Sequence, residues 1–276
     1  MKAAVVQYAP KYLDVEANLT HVGEMISAVD ADLLVLPELF ASGYFFQSES
    51  DLRRVAEVFP DGPTCDALLD WASSTGAVLV AGLPERSDDT FYNSAVVVSP
   101  DGIVSTYRKV HLYDKEKLFF SPGDLGFQVV DLESRDGESY RLGVMICFDW
   151  YFPEAARTLA LLGADVIAHP SNLVRKDCPR AMPIRALENH LFTLTANRYG
   201  TESSNGEVLH FIGQSLICNP SGDVLYAAPP EGDAAVAVEI DPAEARDRQI
   251  TARNNLFSDR RPEEYGILAA NESPVS

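Results

Sequence analysis

Basic residues are scarce in this chain. Its 22 Lys and Arg stand against 41 Asp and Glu, a formal charge of −19, and only 6 of the 22 are lysine. Nucleic acids and anionic membranes both require a basic footprint, so the balance argues against either as a partner. No apolar run approaches the roughly 18 residues that span a bilayer. The opening Met1-Lys2-AAVVQYAP segment is too short and too β-branched for a secretory leader. The cysteines, Cys65, Cys147, Cys178 and Cys218, follow neither a zinc spacing nor a dense disulfide framework. Reduced thiols in a cytoplasmic protein are therefore expected. The chain has no G-x-S-x-G elbow, phosphate loop, G-x-G-x-x-G or H-E-x-x-H. Its 5 histidines are scattered, so no metal or cofactor is expected.

What is present alternates between two periods. Residues 2–8 read as a buried strand, and Leu19, Val22, Met25, Ile26 and Val29 fall at helical spacing. ADLLVLPEL reads as a short strand closed by Pro37. Residues 64–74 read as a helix, 77–82 as a strand, and 91–107 as a hairpin turning at Pro100-Asp101-Gly102. The plan then repeats: strand 141–146, helix 154–162, strand 164–168, helix 180–190, strand 191–197 and a hairpin over 215–227. Ala31-Asp32-Leu33-Leu34-Val35-Leu36-Pro37-Glu38 matches Ala164-Asp165-Val166-Ile167-Ala168-His169-Pro170-Ser171. The two Pro-Gly hairpins match in the same order, so we expect an internal duplication. Two such halves pack sheet on sheet with helices outside, an α/β four-layer α-β-β-α sandwich. One domain over 1–262 and a C-terminal tail over 263–276 are expected.

Chemistry in β/α proteins collects at strand ends. Glu38 follows LLVLP, Lys109 follows the hairpin strand, and Cys147 sits between RLGVMI and the helix near Pro153. Singly, each has a structural explanation: a turn cap, a solvated charge and a small core residue. Together they form a thiol nucleophile, a carboxylate base and a fixed cation for a developing oxyanion.

The ordered set LPELF, YRKVHLYDKEKLFFSPGD and GVMICFDWYFPEAAR resembles the nitrilase superfamily of carbon–nitrogen hydrolases, over essentially the whole chain. Within it, the Cys147 region is most similar to small archaeal thermoactive aliphatic nitrilases. The resemblance implies a Glu38-Lys109-Cys147 triad, with Glu116 as a second glutamate orienting Lys109 or the substrate amide. It also implies a thioester on Cys147 and Glu38 as a proton carrier with a pKa raised by burial. Lys109 would stabilise the anion and lower the thiol pKa, with the Phe148 N–H as second donor. Tyr44, Trp150, Tyr151 and Asn172 are expected to line the pocket. The implied reaction turns a small aliphatic nitrile or amide into acid and ammonia. An N-carbamoyl amidohydrolase using Arg175 and Lys176 as a basic clamp is the alternative, and a non-catalytic scaffold is an alternative of another class. A homodimer or higher homo-oligomer is expected through 154–162 and 180–190, with Leu159, Leu162 and Leu187 as an apolar patch.

Overall fold

The unbroken apolar run near the start becomes β1 (Lys2–Gln7), buried on both faces from Ala3 to Val6, as a central parallel strand must be. A computed structural model describes residues 1–204 and 206–270. In chain order, β1 is followed by α1 (Val15–Ser27), β2 (Leu33–Val35), α2 (Glu49–Val55), α3 (Pro63–Thr75), β3 (Val78–Ser87), β4 (Thr90–Ser99) and β5 (Gly102–Arg108). The second half contains β6 (Val129–Glu133), β7 (Ser139–Val144), α4 (Pro153–Leu161), β8 (Val166–Pro170), α5 (Cys178–Asn189) and β9 (Phe192–Ala196). A hairpin of β10 (Tyr199–Ser204) and β11 (Glu207–Ile212) comes next, then β12 (Leu216–Cys218), β13 (Val224–Ala227) and β14 (Ala234–Glu239).

Two six-stranded sheets result, ordered β14-β1-β2-β3-β4-β5 and β13-β12-β9-β8-β7-β6. In the first, β1, β2 and β3 are parallel and every other pairing is antiparallel. In the second, β7, β8 and β9 are parallel, again flanked by antiparallel strands. The same strand plan therefore occurs twice, and the matches noted in sequence fall on equivalent elements, β2 with β8 and the β4–β5 hairpin with β12–β13. The sheets face each other through β1, β2 and β3 against β8 and β9. Helices α1 and α3 cover one outer face, and α4 and α5 the other. The unequal spacing of the two matches has a structural cause. The first half carries α2 and a long segment after β2, whereas the second carries the β10–β11 hairpin.

Strands β6, β10, β11 and β14 and helix α2 are absent from the sequence reading. They are edge or inserted elements, half exposed and without a strong apolar period. One expected surface residue is corrected. Leu159 is fully buried, because α4 turns it onto Gly143 of β7. Leu162 and Leu187 are exposed as expected, together with Leu161 and Ile184.

Met1–Arg246 forms one compact unit and Asp247–Ser276 another, so the division falls ahead of the boundary at 262 read from sequence. The second unit holds the short pair β15 (Gln249–Thr251) and β16 (Asn254–Asn255). Residues 271–276 of the expected tail lie outside the described residues.

Candidate active site

Glu38 lies just beyond β2, on a segment that presses directly onto β3. A Cβ at Gly82 would stand 2.6 Å from the Glu38 Cα, so only glycine lets β3 pass here. Phe40 N–H donates to the Gly82 carbonyl at 3.0 Å and pins the segment. The Glu38 carboxylate is fully buried. Its Oε1 accepts from Lys109 Nζ and from Asn93 Nδ2, each at 2.7 Å. Its Oε2 is buried with no hydrogen-bond partner.

Lys109 follows β5. Its N–H donates to the Asn93 carbonyl, and its own carbonyl accepts from Gly123 N–H, both at 2.8 Å. Its ammonium is completely buried and bridges Glu38 Oε1 and Glu116 Oε1, the latter also at 2.7 Å. Glu116 sits on a 3₁₀ turn, Asp114–Leu118. The Tyr44 hydroxyl donates to Glu116 Oε1 at 2.7 Å, and the Tyr113 N–H to Oε2 at 3.0 Å.

A buried cation thus stands between two buried carboxylates. Burial raises the Glu38 carboxyl pKa to about 6, with Lys109 opposing the rise and Glu116 adding to it. Lys109 stays protonated: burial disfavours its charge, but the two carboxylates raise its pKa further than burial lowers it.

Cys147 opens a 3₁₀ turn, Cys147–Tyr151, with φ +41°. A non-glycine residue there is strained by about 1–3 kcal/mol and must be held by its surroundings. Asp149, two residues on and fully buried, holds it. Asp149 Oδ2 accepts from Ile146 N–H at 2.9 Å and Tyr107 OH at 2.8 Å, and Oδ1 accepts from His111 N–H at 3.1 Å. His169, at the end of β8, bonds through Nε2 to the Cys147 carbonyl at 2.9 Å and through Nδ1 to Thr195 Oγ1 at 3.0 Å. Burial lowers the His169 pKa to about 4, so the ring is neutral. The Asn172 N–H is directed at the Cys147 thiol, and Asn172 Nδ2 donates to the Glu38 carbonyl at 2.8 Å.

The expectation of a lowered thiol pKa is corrected. Burial pushes the Cys147 thiol well up, the Glu38 charge adds to the rise, and Lys109 only partly opposes it. The Lys109 charge is already shared between two carboxylates, so the resting site favours the neutral thiol.

The residues read from sequence are placed as follows. Tyr44 donates to Glu116 and lines a neighbouring pocket rather than the cleft at Cys147. Phe148, Trp150 and Asn172 line a narrow cleft at Cys147 of about 20 Å³. Tyr151 is half exposed and packs on the Phe148 and Trp150 rings without lining that cleft. Arg175 is at the cleft, paired with Asp177 at 2.7 Å.

Four supporting residues were missed in sequence: Asn93, Asp149, His169 and Glu202. Glu202, on β10, accepts from the N–H groups of Tyr44 at 3.0 Å and Phe45 at 2.7 Å, and pairs with the buried Arg198. Gly43, at φ +79°, leaves room for that carboxylate. Only Asp149 carried a local signal, an acid two residues after a cysteine at a turn. The others act across the fold.

Fold and site together define a carbon–nitrogen hydrolase. The family model described as "Carbon-nitrogen hydrolase" matches residues 2–249, and the chain belongs to that family. A curated protein named "Nitrilase", from Pyrococcus abyssi, is 48% identical over 96% of this chain and 99% of its own length. A crystal structure of a carbon–nitrogen hydrolase from Helicobacter pylori G27 superposes with a TM-score of 0.86 at 28% identity, covering 99% of both chains. A variant of the Nesterenkonia sp. AN1 amidase, with the acetamide moiety of fluoroacetamide added covalently at its active-site cysteine, gives a TM-score of 0.77 at 26% identity. That match covers 97% of this chain and 96% of the amidase. Among the described residues no helix is long and apolar enough to cross a membrane, and no group of three or more His, Cys, Asp or Glu is arranged to hold a metal ion.

Proposed function

We propose that this enzyme hydrolyses a small, uncharged aliphatic amide or nitrile to the carboxylic acid and ammonia through a thioester on Cys147. The observation that carries the reading is the free Glu38 Oε2. A buried carboxylate oxygen with no partner and a pKa near 6 is a proton acceptor held ready. Glu38 takes the Sγ proton as sulfur bonds to the substrate carbon. The negative charge forming on the substrate oxygen or nitrogen is met by Lys109 Nζ and the Phe148 N–H. For an amide, Glu38 returns the proton to nitrogen, the C–N bond breaks and ammonia leaves. A water, deprotonated by Glu38, then releases the acid and restores the thiol. A nitrile first adds the thiol across its triple bond and takes up one water before ammonia leaves. Glu116 and Tyr44 hold Lys109 in place, and Trp150 and Asn172 bound the substrate.

Neutral substrates suit the site because Glu38, Lys109 and Glu116 together carry a net negative charge. The nitrilase name of the Pyrococcus relative and the cysteine adduct of the Nesterenkonia amidase support the reading. The N-carbamoyl alternative rests on Arg175 at the cleft, whose charge is already met by Asp177. The test is ammonia release from a panel of amides, nitriles and N-carbamoyl amino acids, with intact mass of the enzyme during turnover. The wild type should show an acyl adduct on Cys147, and Cys147→Ala should lose it with roughly 10⁴-fold or more of the rate. An alanine variant that still turned over would remove the nucleophile from the scheme.

The enzyme is further assigned to the cytoplasm, where four free cysteines stay reduced. It is also assigned to a homodimer formed through Leu162, Ile184 and Leu187. Light scattering at micromolar concentration should give twice the chain mass, and a monomer would overturn the dimer.

A further inference from the structure

Beside Glu116 lies a second pocket, of about 50 Å³. It shares Tyr113 and Val174 with the cleft at Cys147 and takes Tyr44 and Glu116 into its wall, so it adjoins the reacting centre. The rest of its lining is mainly apolar, including Phe45, Phe119 and Leu209, with Asp114, Lys115 and Glu207 as its charged members. At its edge Lys115 Nζ meets Glu207 Oε2 at 2.5 Å and stands 5.3 Å from the Phe45 ring centroid. This pair joins the turn that carries Glu116 to the β10–β11 hairpin.

We infer that this pocket is the subsite for the uncharged substituent of the substrate, and that Glu207 cancels the Lys115 charge at its rim, leaving Asp114 there to repel acids. The inference rests on the amide or nitrile reading above. The cleft at Cys147 has room for little more than the reacting group, so a longer substituent must lie elsewhere. The neighbouring pocket is larger and offers aromatic and aliphatic surface. Its size corresponds to a chain of about three to five carbons, taking roughly 10–15 Å³ for each water-sized sphere. An apolar wall rewards each added methylene and gives a carboxylate no partner. Glu207 matters because, without it, Lys115 would present a free ammonium at the same rim and attract acids.

The experiment compares kcat/KM for acetamide, pentanamide and succinamic acid, which differ in chain length and terminal charge. Leu209→Trp, on a half-buried hairpin position, should lower the pentanamide-to-acetamide ratio about tenfold or more, the scale of a lost apolar pocket contact. Leu209→Ala keeps the test open should the tryptophan variant fail to fold. It should shift preference toward the bulkier phenylacetamide. Glu207→Ala should raise the succinamic acid-to-pentanamide ratio severalfold at low salt, with the gain shrinking as salt screens the freed lysine. Folded variants whose ratios do not move would overturn the subsite while leaving the hydrolase reading intact. Absence of ammonia release from every amide by the wild type would overturn the amide reading and the subsite with it.

Discussion

At the end of β2 the chain places Glu38; at the topologically equivalent end of β8 it places Ser171. The first half also gives the site Lys109, Glu116 and Asn93, so the charges clustered on the lysine come from one side. The second half gives the Cys147 thiol, the neutral His169 ring and the Asn172 amide. The two halves share a strand plan, yet the groups they bring together occupy non-equivalent places in it. Sheet-on-sheet packing makes this useful. It brings β2 and β3 against β8 and β9, and the Asn172 amide crosses from the second half to the Glu38 carbonyl. A buried charge cluster and a strained thiol turn are each difficult to hold alone. Here each is fastened to its own half and aimed at the other.

Removing the charge from the first half is the most severe way to break this division of labour. Glu38→Gln keeps the side-chain shape and the contact from Asn93 but cannot accept a proton. We expect a loss of about 10²–10⁴-fold in kcat/KM, the usual contribution of a positioned acid–base group. The wild type should lose activity as pH falls through about 6, because protonation blocks Glu38 Oε2. That acid limb should be missing from the residual activity of the variant. A limb that persists unchanged in Glu38→Gln would assign the titration to another group.

A charge can also be forced into the second half. His169 has a folded-state pKa near 4 against an ordinary 6.5. Between those values the unfolded chain binds more protons, so stability rises with pH. The contribution is fully present above 6.5 and is lost as pH falls toward 4, about 3 kcal/mol over the whole window. Glu38 acts in the opposite sense. Its raised pKa makes the ionised form a cost to folding that grows from pH 4.5 to about 6. Urea unfolding at pH 7 and pH 5 should show the wild type losing more stability on acidification than His169→Gln, which keeps Glu38 but has no ring to protonate. Equal losses in the two proteins would mean that His169 is not held neutral.

How much of this was readable in sequence follows from which forces act locally. The parallel central strands were readable because residues buried on both faces leave a continuous apolar run, as at Leu33–Val35 and Val166–Ala168. Glu38 and Cys147 were readable because each follows such a strand, and Lys109 because it follows a hairpin strand, all three within distinctive local motifs. The β10–β11 hairpin was not. It is half exposed, and its alternation is diluted by Thr201, Ser203 and Ser204. The thiol pKa was misjudged because proximity to Lys109 says nothing about the two carboxylates that already hold that lysine. His169 looked like a scattered histidine because Thr195 and the Cys147 carbonyl, which fix it, are distant in the chain.

The mildest break falls on the hairpin that the first half lacks. Glu202 reaches from β10 to the N–H groups of Tyr44 and Phe45, and so sets where the Tyr44 hydroxyl meets Glu116. Both N–H groups meet Oε2 and Arg198 meets Oε1, so Glu202→Gln can keep one acceptor oxygen for the N–H groups but turns an amide NH2 toward the Arg198 charge and loosens the anchor. We expect kcat to fall about tenfold, with a smaller change in KM, since Tyr44 acts on the lysine that faces the developing anion rather than on ground-state binding. The melting temperature should fall as well, and stability alone does not distinguish positioning from scaffolding. A double-mutant cycle does. In a Tyr44→Phe background the hydroxyl that Glu202 positions is already gone, so Glu202→Gln should cost little further rate. Two losses that simply multiply would show that Glu202 acts on the site by a route other than Tyr44, and the second half would then meet the charge cluster only through Cys147 and Asn172.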